Sequence, residues 1–234
     1  MRSNREFSAF RSLSAVCHYI FREVKNMNKN DCTIRLETKE DYRPTENLTR
    51  ESFWNVYRPG CLEHYVLHTF RQNGVNIPEL SFIMEKDGEI IGYNTFTDAF
   101  IITDNGENLP VAAMGPICIA NRYKRQGYGK QLLDFSLERA KEYGVRAVLL
   151  EGNIEFYSKC GFRYASDFGI RYHGLDGGAD SSFFLCREFE NSCLDGVTGV
   201  YYTPEAYYVD EAEAEKFDKS FPKKEKLKLS GQIF

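Results

Sequence analysis

The segment Met114-Gly-Pro-Ile-Cys-Ile-Ala-Asn-Arg-Tyr-Lys-Arg-Gln-Gly-Tyr-Gly-Lys-Gln-Leu-Leu133 joins an apolar run to a glycine turn and then to a long amphipathic stretch. Val111 to Ile119 is almost continuously apolar, which predicts a central strand buried on both faces. Gly127 to Tyr143 reads as a helix, with Leu133, Leu137 and Ala140 as its apolar stripe and Gly144 as its stop. Gly127 and Gly129 lack a Cβ, so a ligand can come close to the backbone there. The first N–H groups of a helix have no intrahelical partner and carry partial positive charge, which suits a phosphate or pyrophosphate. Lys124, Arg125 and Lys130 add full charges around that point. The Walker pattern is absent, and the dinucleotide fingerprint fails because Leu132 stands where a third glycine is needed. Taken alone, a GxG at a helix start is equally compatible with an ordinary tight turn.

Outward from this segment the pattern is regular. Cys32 to Glu37 alternates as a half-buried strand does, and Glu46 to Tyr57 and Leu62 to Gln72 read as helices. Leu80 to Glu85 and Glu89 to Phe100 read as strands across a Lys86-Asp87-Gly88 turn. Downstream, Val145 to Leu150 is another apolar strand, Ile154 to Lys159 a short helical turn, and Ser182 to Phe189 a closing strand. The alternation of strands and helices predicts an α/β (α+β) fold.

Lys124-Arg-Gln-Gly-Tyr-Gly129 resembles the [QR]-x-x-G-x-[GA] signature of the GNAT superfamily of N-acetyltransferases, with lysine in place of the planar Gln or Arg. Glu151-Gly-Asn-Ile-Glu-Phe-Tyr-Ser-Lys-Cys-Gly-Phe162 is similar to the family's second half-site, an Asn after strand five followed by Tyr-x-x-x-Gly-Phe. Together with Tyr57-Arg-Pro-Gly-Cys-Leu-Glu-His64, it resembles a subgroup of uncharacterised bacterial acetyltransferases. The resemblance runs from Thr33 to about Phe189. It implies a mixed, mostly antiparallel sheet flanked by helices and splayed between its strands four and five, with acetyl-CoA as cosubstrate. It places the coenzyme on Ile117, Cys118, Ile119, Lys124, Arg125, Gln126, Gly127, Tyr128, Gly129, Lys130, Asn153, Phe156 and Tyr157.

Acetyl transfer from a thioester to an amine needs a neutral amine, a donor to the carbonyl oxygen and help for the leaving thiolate. The resemblance puts a backbone N–H donor at Ile117, Cys118 or Ile119 and makes Tyr157 the acid at the sulfur. The family's strand four corresponds here to Met114-Gly115-Pro116-Ile117-Cys118, which carries no carboxylate, so the base is open among Glu151, Glu63, His64 and a water chain. Cys118 and Cys160 lie near the expected thioester, but neither has an adjacent His in sequence, which favours direct transfer over an acyl-cysteine. His64 and His68 are spaced to share a helix face, yet no third ligand is in view, so no metal is expected. The expected acceptor is a primary amine of a small molecule or peptide. A coenzyme A-binding sensor of the same fold is the alternative.

The 234 residues carry 30 basic and 34 acidic side chains, a net charge of −4 that gives no basic excess for a nucleic-acid backbone. No apolar run reaches membrane-spanning length. The seven cysteines are odd in number and irregularly spaced, with no CxxC pair, which fits a reducing cytoplasm better than a disulfide scaffold. The expected organisation is an N-terminal extension over 1–30, an acetyltransferase domain over 31–190 and a C-terminal extension over 191–234 that packs on it, as monomer or homodimer. For residues 1–26, three readings stay open: an amphipathic helix, a stretch upstream of a start at Met27, and a targeting peptide.

Overall fold

The computed structural model describes residues 32–176, 178–189 and 193–232. The N-terminal extension expected over 1–30 lies outside them. The strands are β1 (Cys32–Leu36), β2 (Phe82–Lys86), β3 (Glu89–Asn94), β4 (Phe96–Thr103), β5 (Asn108–Met114), β6 (Cys118–Ile119), β7 (Ala147–Glu151), β8 (Arg163–Tyr164), β9 (Ile170–Tyr172), β10 (Phe184–Glu188) and β11 (Gly199–Tyr201). The helices are α1 (Tyr42–Phe53), α2 (Glu63–Asn73), α3 (Tyr128–Tyr143), α4 (Ile154–Tyr157) and α5 (Glu211–Asp218).

The strands form two ladders, β1-β2-β3-β6 and β8-β10-β7-β5-β4-β11-β9. They are two halves of one curled sheet, because the chain passes from one to the other twice, at Thr95 between β3 and β4 and at Gly115–Ile117 between β5 and β6. Gly115 N donates to Thr95 O at 2.9 Å across the two bends. On one side of the bend Phe96 faces Met114, and on the other Tyr93 faces Cys118, so the 108–119 strand holds one residue more than its partner. That is a β-bulge, and Pro116 sits inside it, where its missing N–H breaks no ladder. Before the bulge β5 pairs in parallel with β7, at Ala112 with Val148 and Ala113 with Leu149. After it, among the described residues, β6 pairs only with β3, and the sheet splays.

The continuous strand expected over Val111 to Ile119 is therefore two strands, and the run expected over Glu89 to Phe100 is bent at Thr95. The cause is the same in both cases: an apolar run carries no mark of a bulge unless the proline inside it is read as one. The first helix spans Tyr42–Phe53 rather than Glu46 to Tyr57. Pro44 is tolerated because it falls in the first turn, where its N–H would be unpaired. The helix ends early because Asn55 takes a left-handed φ of 60° and its Oδ1 accepts from Gly60 N at 2.8 Å.

α3 packs one face of the sheet with Leu132, Leu133, Leu137 and Ala140, all buried against residues such as Phe82, Met84 and Ile91. Each such leucine is worth about 1.5–3 kcal/mol of apolar burial. Gly92 is required here, since a Cβ would lie 2.7 Å from Ile119 Cδ1 and 3.1 Å from Leu132 Cδ2. α1 and α2 cover the other face of the first half-sheet with a smaller cluster of Leu48, Leu67, Ile83, Tyr93 and Cys118. The sheet continues past residue 190, since Gly199–Tyr201 pairs with both β4 and β9.

Arg35 of β1 forks onto Asp41, at 2.7 and 2.9 Å, and reaches Glu85 at 2.7 Å. The Arg35 guanidinium, chiefly, pulls the Asp41 carboxyl down to about 2. A carboxyl that is more acidic folded than unfolded contributes stability above its unfolded value, near 3.8 here, and loses it as pH falls toward 2. Asp41→Asn should thus lower stability at pH 5, with the gap to wild type closing by pH 2. Urea unfolding at the two pH values checks this, and an equal gap at both would refute it.

Candidate active site

The opening after the bulge is lined by the edge of β6 on one side and by the end of β7 with α4 on the other. Ala120 N donates to Ile91 O at 2.8 Å, and alternation along the strand turns the Ile119 and Ile117 backbone groups away from β3 toward the open edge. Ile119 O accepts there from Ser52 Oγ of α1 at 3.2 Å. The side chains divide between faces. Ile119 is buried toward α3, whereas Cys118 is buried toward α1 with its Sγ 3.8 Å from Thr49 Oγ1. Burial pushes the Cys118 thiol up to about 11. Cys160 is likewise pushed to about 11, by burial first and Asp134 second. Neither is an activated nucleophile, consistent with direct transfer.

The glycine loop opens α3 beside this edge. The helix ladder begins with Gln131 N donating to Gly127 O at 3.1 Å, so the N–H groups of 128–130 have no partner within the helix. Gly127 holds a φ of 94° with open space where a Cβ would point. It is needed for its backbone conformation rather than for room. A Cβ on Gly129 would rest 3.6 Å from Phe156 Cζ and 3.7 Å from Ile119 Cγ1, where α3, α4 and β6 meet. Phe156 itself is 38 % exposed over this junction.

The charged and polar side chains of the loop are less concentrated than the sequence suggests. Lys124 Nζ turns inward to Ser52 O at 3.1 Å, tying the loop to α1, and burial lowers its pKa. Gln126 Nε2 donates to Arg122 O at 2.7 Å, and Lys130 pairs with Asp134 one turn on. Tyr128 is buried with its ring edge-on to Tyr123, leaving only its backbone toward the outside. Arg125 is exposed on the loop, at a φ of 61°.

On the opposite wall, Asn153 caps α4, its Oδ1 accepting from Glu155 N at 2.8 Å. The Tyr157 ring packs edge-on against Phe156 and Phe162 at 5.0 and 5.5 Å. Burial raises its pKa, so the phenol stays protonated at neutral pH. Glu151 ends β7, exposed, and accepts from Tyr172 Oη at 2.7 Å, while the same oxygen lies 2.7 Å from Thr203 Oγ1.

Several residues at this opening escaped the sequence reading. Gly152 is one, since a Cβ there would overlap Tyr157 Cε2 and sit 2.9 Å from Cδ2. Tyr57 is another, 46 % exposed, with its ring centroid 6.1 Å from that of Phe53 at the end of α1. Tyr207 Oη donates to Gly115 O at 3.0 Å, bracing the bulge from the C-terminal segment. Of these, Gly152 and Tyr57 lie inside the quoted motif stretches, Gly152 next to the motif asparagine, whereas nothing in the sequence pointed to Tyr207.

His64 and His68 go separate ways. His64 is fully buried under Phe217 and Phe221, and burial holds it down to about 4, hence neutral. His68 Nδ1 is 2.9 Å from Glu46 Oε1. Glu63 is engaged locally, accepting from Leu62 N at 3.0 Å and Cys61 Sγ at 3.1 Å.

A curled sheet splayed after a bulge, with a glycine loop opening a helix at the gap, defines an acetyltransferase domain of the GNAT type. The model of the acetyltransferase (GNAT) family matches residues 36–162, and the chain belongs to that family. It is 29 % identical over 169 residues to the uncharacterised N-acetyltransferase YhbS of Escherichia coli strain K12, an alignment spanning 71 % of this chain and 93 % of that protein. The crystal structure of Escherichia coli YhbS in complex with CoA superposes with a TM-score of 0.66 at 26 % identity, covering 77 % of this chain and 93 % of that one. A GNAT family acetyltransferase from Brucella melitensis, in complex with acetyl-CoA, has the same fold, with a TM-score of 0.61 at 20 % identity over 76 % of this chain and 99 % of that one. No helix among the described residues is long and apolar enough to cross a membrane.

The fit between Gly152 and the Tyr157 ring can be measured directly. Gly152→Ala should cost about 1–3 kcal/mol through overpacking. Combining it with Tyr157→Ala should recover most of that loss in thermal unfolding. Additive losses would mean that Gly152 serves some other contact.

Proposed function

We propose that the protein binds acetyl-CoA along the splay and transfers the acetyl group directly to a primary amine of a small molecule or peptide. The observation that carries this reading is the Gly127–Gly129 turn, which presents unpartnered helix N–H groups beside the bare edge of β6. Those N–H groups, with Arg125 at the rim, would hold the pyrophosphate. Phe156 and Ile119 would flank the pantetheine arm, and the thioester supplies an acetyl group already activated for attack.

One outward N–H, at Ile117 or Ile119, would be the donor to the acetyl carbonyl oxygen, worth about 3 kcal/mol. As the amine nitrogen bonds to the acetyl carbon and the carbon–sulfur bond breaks, the amine proton passes to Glu151 and Tyr157 donates its proton to the sulfur. Glu151 is favoured over Glu63 and His64 as base because the Tyr172 hydroxyl holds its carboxylate while leaving it exposed. Tyr157 is favoured as acid because it is protonated and Gly152 seats its ring.

Gly127→Glu should weaken coenzyme A binding heavily, by adding a repelling charge at the N-terminus of α3 and by disfavouring the φ of 94°. Calorimetry showing unchanged affinity would remove the coenzyme from this loop. With an accepting amine in hand, Tyr157→Phe should lower kcat by about 10²–10⁴-fold at nearly constant coenzyme affinity. Equal kcat, with chemistry rate-limiting, would take Tyr157 out of the reaction. A wild type that binds coenzyme A but releases no thiol across a broad amine panel would favour a sensor over an enzyme.

A further inference from the structure

The loop between α1 and α2, residues Trp54–Cys61, is held from outside by the far end of the chain. Asn55 is the hub. Its Oδ1 accepts from Gly60 N at 2.8 Å and Leu227 N at 3.1 Å, its Nδ2 donates to Glu225 O at 3.1 Å, and its carbonyl accepts from Gln232 Nε2 at 2.9 Å. Trp54 Nε1 donates to the same Glu225 O at 2.9 Å.

α5 grips the loop's other side. Arg58 makes a two-pronged pair with Glu211 at 2.9 and 2.7 Å, and the Lys226 stem passes 3.1 Å from where a Cβ on Gly60 would stand. At the root of the loop, Arg50 is fully buried, bonded to Asp218 through Nε at 2.5 Å and stacked 4.2 Å over Trp54. The space left between loop and α5 is only about 30 Å³. Tyr57 rides on this loop, half exposed, its ring centroid 6.1 Å from that of Phe53, which packs on the cluster holding Cys118 of β6. None of these contacts reaches the 124–130 loop.

We propose that the C-terminal segment 211–232 is a positioning strap for the acceptor side of the site. Through Asn55 it fixes the loop that carries Tyr57, and so it sets how an amine fits opposite the thioester without helping to hold the coenzyme. This rests on the acetyl-transfer reading above. Asn55 and Gln232 are positioning residues, since they touch the loop and not the reacting groups. Among the described residues the strap adds no strand to the sheet, whose last is β11. What the strap supplies is further order in a loop closed on itself by Asn55 N to Gly60 O and Gly60 N to Asn55 Oδ1.

The test uses the full chain with Asn55→Gly, which keeps the left-handed backbone accessible while deleting the side-chain hub, and Gln232→Ala, remote from any core. Three readouts apply: amide hydrogen exchange, calorimetry with coenzyme A, and the ¹⁹F signal of 3-fluorotyrosine at position 57. Both variants should speed exchange over 54–61 and 222–232 by about tenfold or more, with α3 unchanged. They should also shift or broaden the ¹⁹F signal, with coenzyme A affinity within about twofold of wild type. For an amine that the wild type acetylates, KM for the amine should rise about tenfold with kcat and the KM for acetyl-CoA unchanged. An unaltered ¹⁹F signal, or an unaltered amine KM, in both variants overturns the strap. So does a parallel loss of coenzyme affinity, which would make the segment a general support of the domain. A wild type that binds no coenzyme A would instead overturn the acetyl-transfer reading, while exchange and the ¹⁹F signal still decide whether the strap orders the loop.

Discussion

One extra residue in the 108–119 strand governs the rest of the structure. Without it β6 would continue beside β7, and the backbone groups of Ile117 and Ile119 would be consumed by sheet pairing. With it, the strand turns out of the second half-sheet, keeps β3 as its partner, and leaves one edge bare in the interior of the molecule. A bare edge inside a protein is costly unless something else covers it. Part of the cover is Ser52 Oγ on Ile119 O. The rest is what a bound chain of amides such as pantetheine could supply. The bulge is braced from three directions: Thr95 O from the neighbouring strand, Tyr207 Oη from the C-terminal segment, and the tight Gly92–Ile119–Leu132 contact under α3.

The helices over the opposite face are attached by charge more than by grease. The buried residues of α1 are Thr45, Glu46, Leu48, Thr49, Arg50 and Ser52. Arg71 of α2 is buried between Glu37 and Glu46, donates to Tyr42 O at 3.0 Å and stacks on the Tyr42 ring. Burial raises the Glu37 carboxyl, and the Arg71 guanidinium opposes that rise. Such networks add little net stability over apolar packing, but they tolerate few alternative docking geometries. Arg50, bonded to Asp218 and stacked on Trp54, repeats the arrangement at the other end of α1 and ties α5 to it. The frame around the amine side of the opening is thus specified by directional contacts.

This explains which parts of the structure could be read in the sequence. α3, its glycine turn, β7 and the short helical turn after Asn153 were legible because periodicity, glycine and spacing each point the same way there. The frame of α1 was not. Its buried face is polar, so the apolar pattern that would locate it is missing, and its end depends on Asn55 meeting residues some 170 positions on. The bulge left only Gly115-Pro116 as a trace. Lys124 matched the motif's first position by charge, but its ammonium reaches a carbonyl of α1. A lysine lacks the planar fork that could serve a carbonyl and a phosphate together. Glu151 and Tyr172 are 21 residues apart in sequence and lie on strands, β7 and β9, that β5, β4 and β11 separate in the sheet, so only the tertiary fold makes them partners.

In the proposed reaction the order of acidities decides what Tyr157 does. A free phenol, near 10, is a weaker acid than a thiol, near 8.5, so giving its proton to a departing thiolate is uphill by ~2 kcal/mol in reference terms. Burial raises Tyr157 further. It does the same to any thiolate released beside it, because desolvation disfavours both anions alike, as the buried Cys118 and Cys160 thiols illustrate. The gap therefore stays small, and it is closed by the proton that Glu151 has just taken from the amine, which can return through the site to the phenolate. In that proposal the two groups would work as one relay: the exposed carboxylate, fixed by Tyr172, would exchange protons with solvent and acceptor, while the buried phenol would meet the sulfur. A cysteine nucleophile would reverse that arrangement, requiring an anion where burial makes anions most expensive.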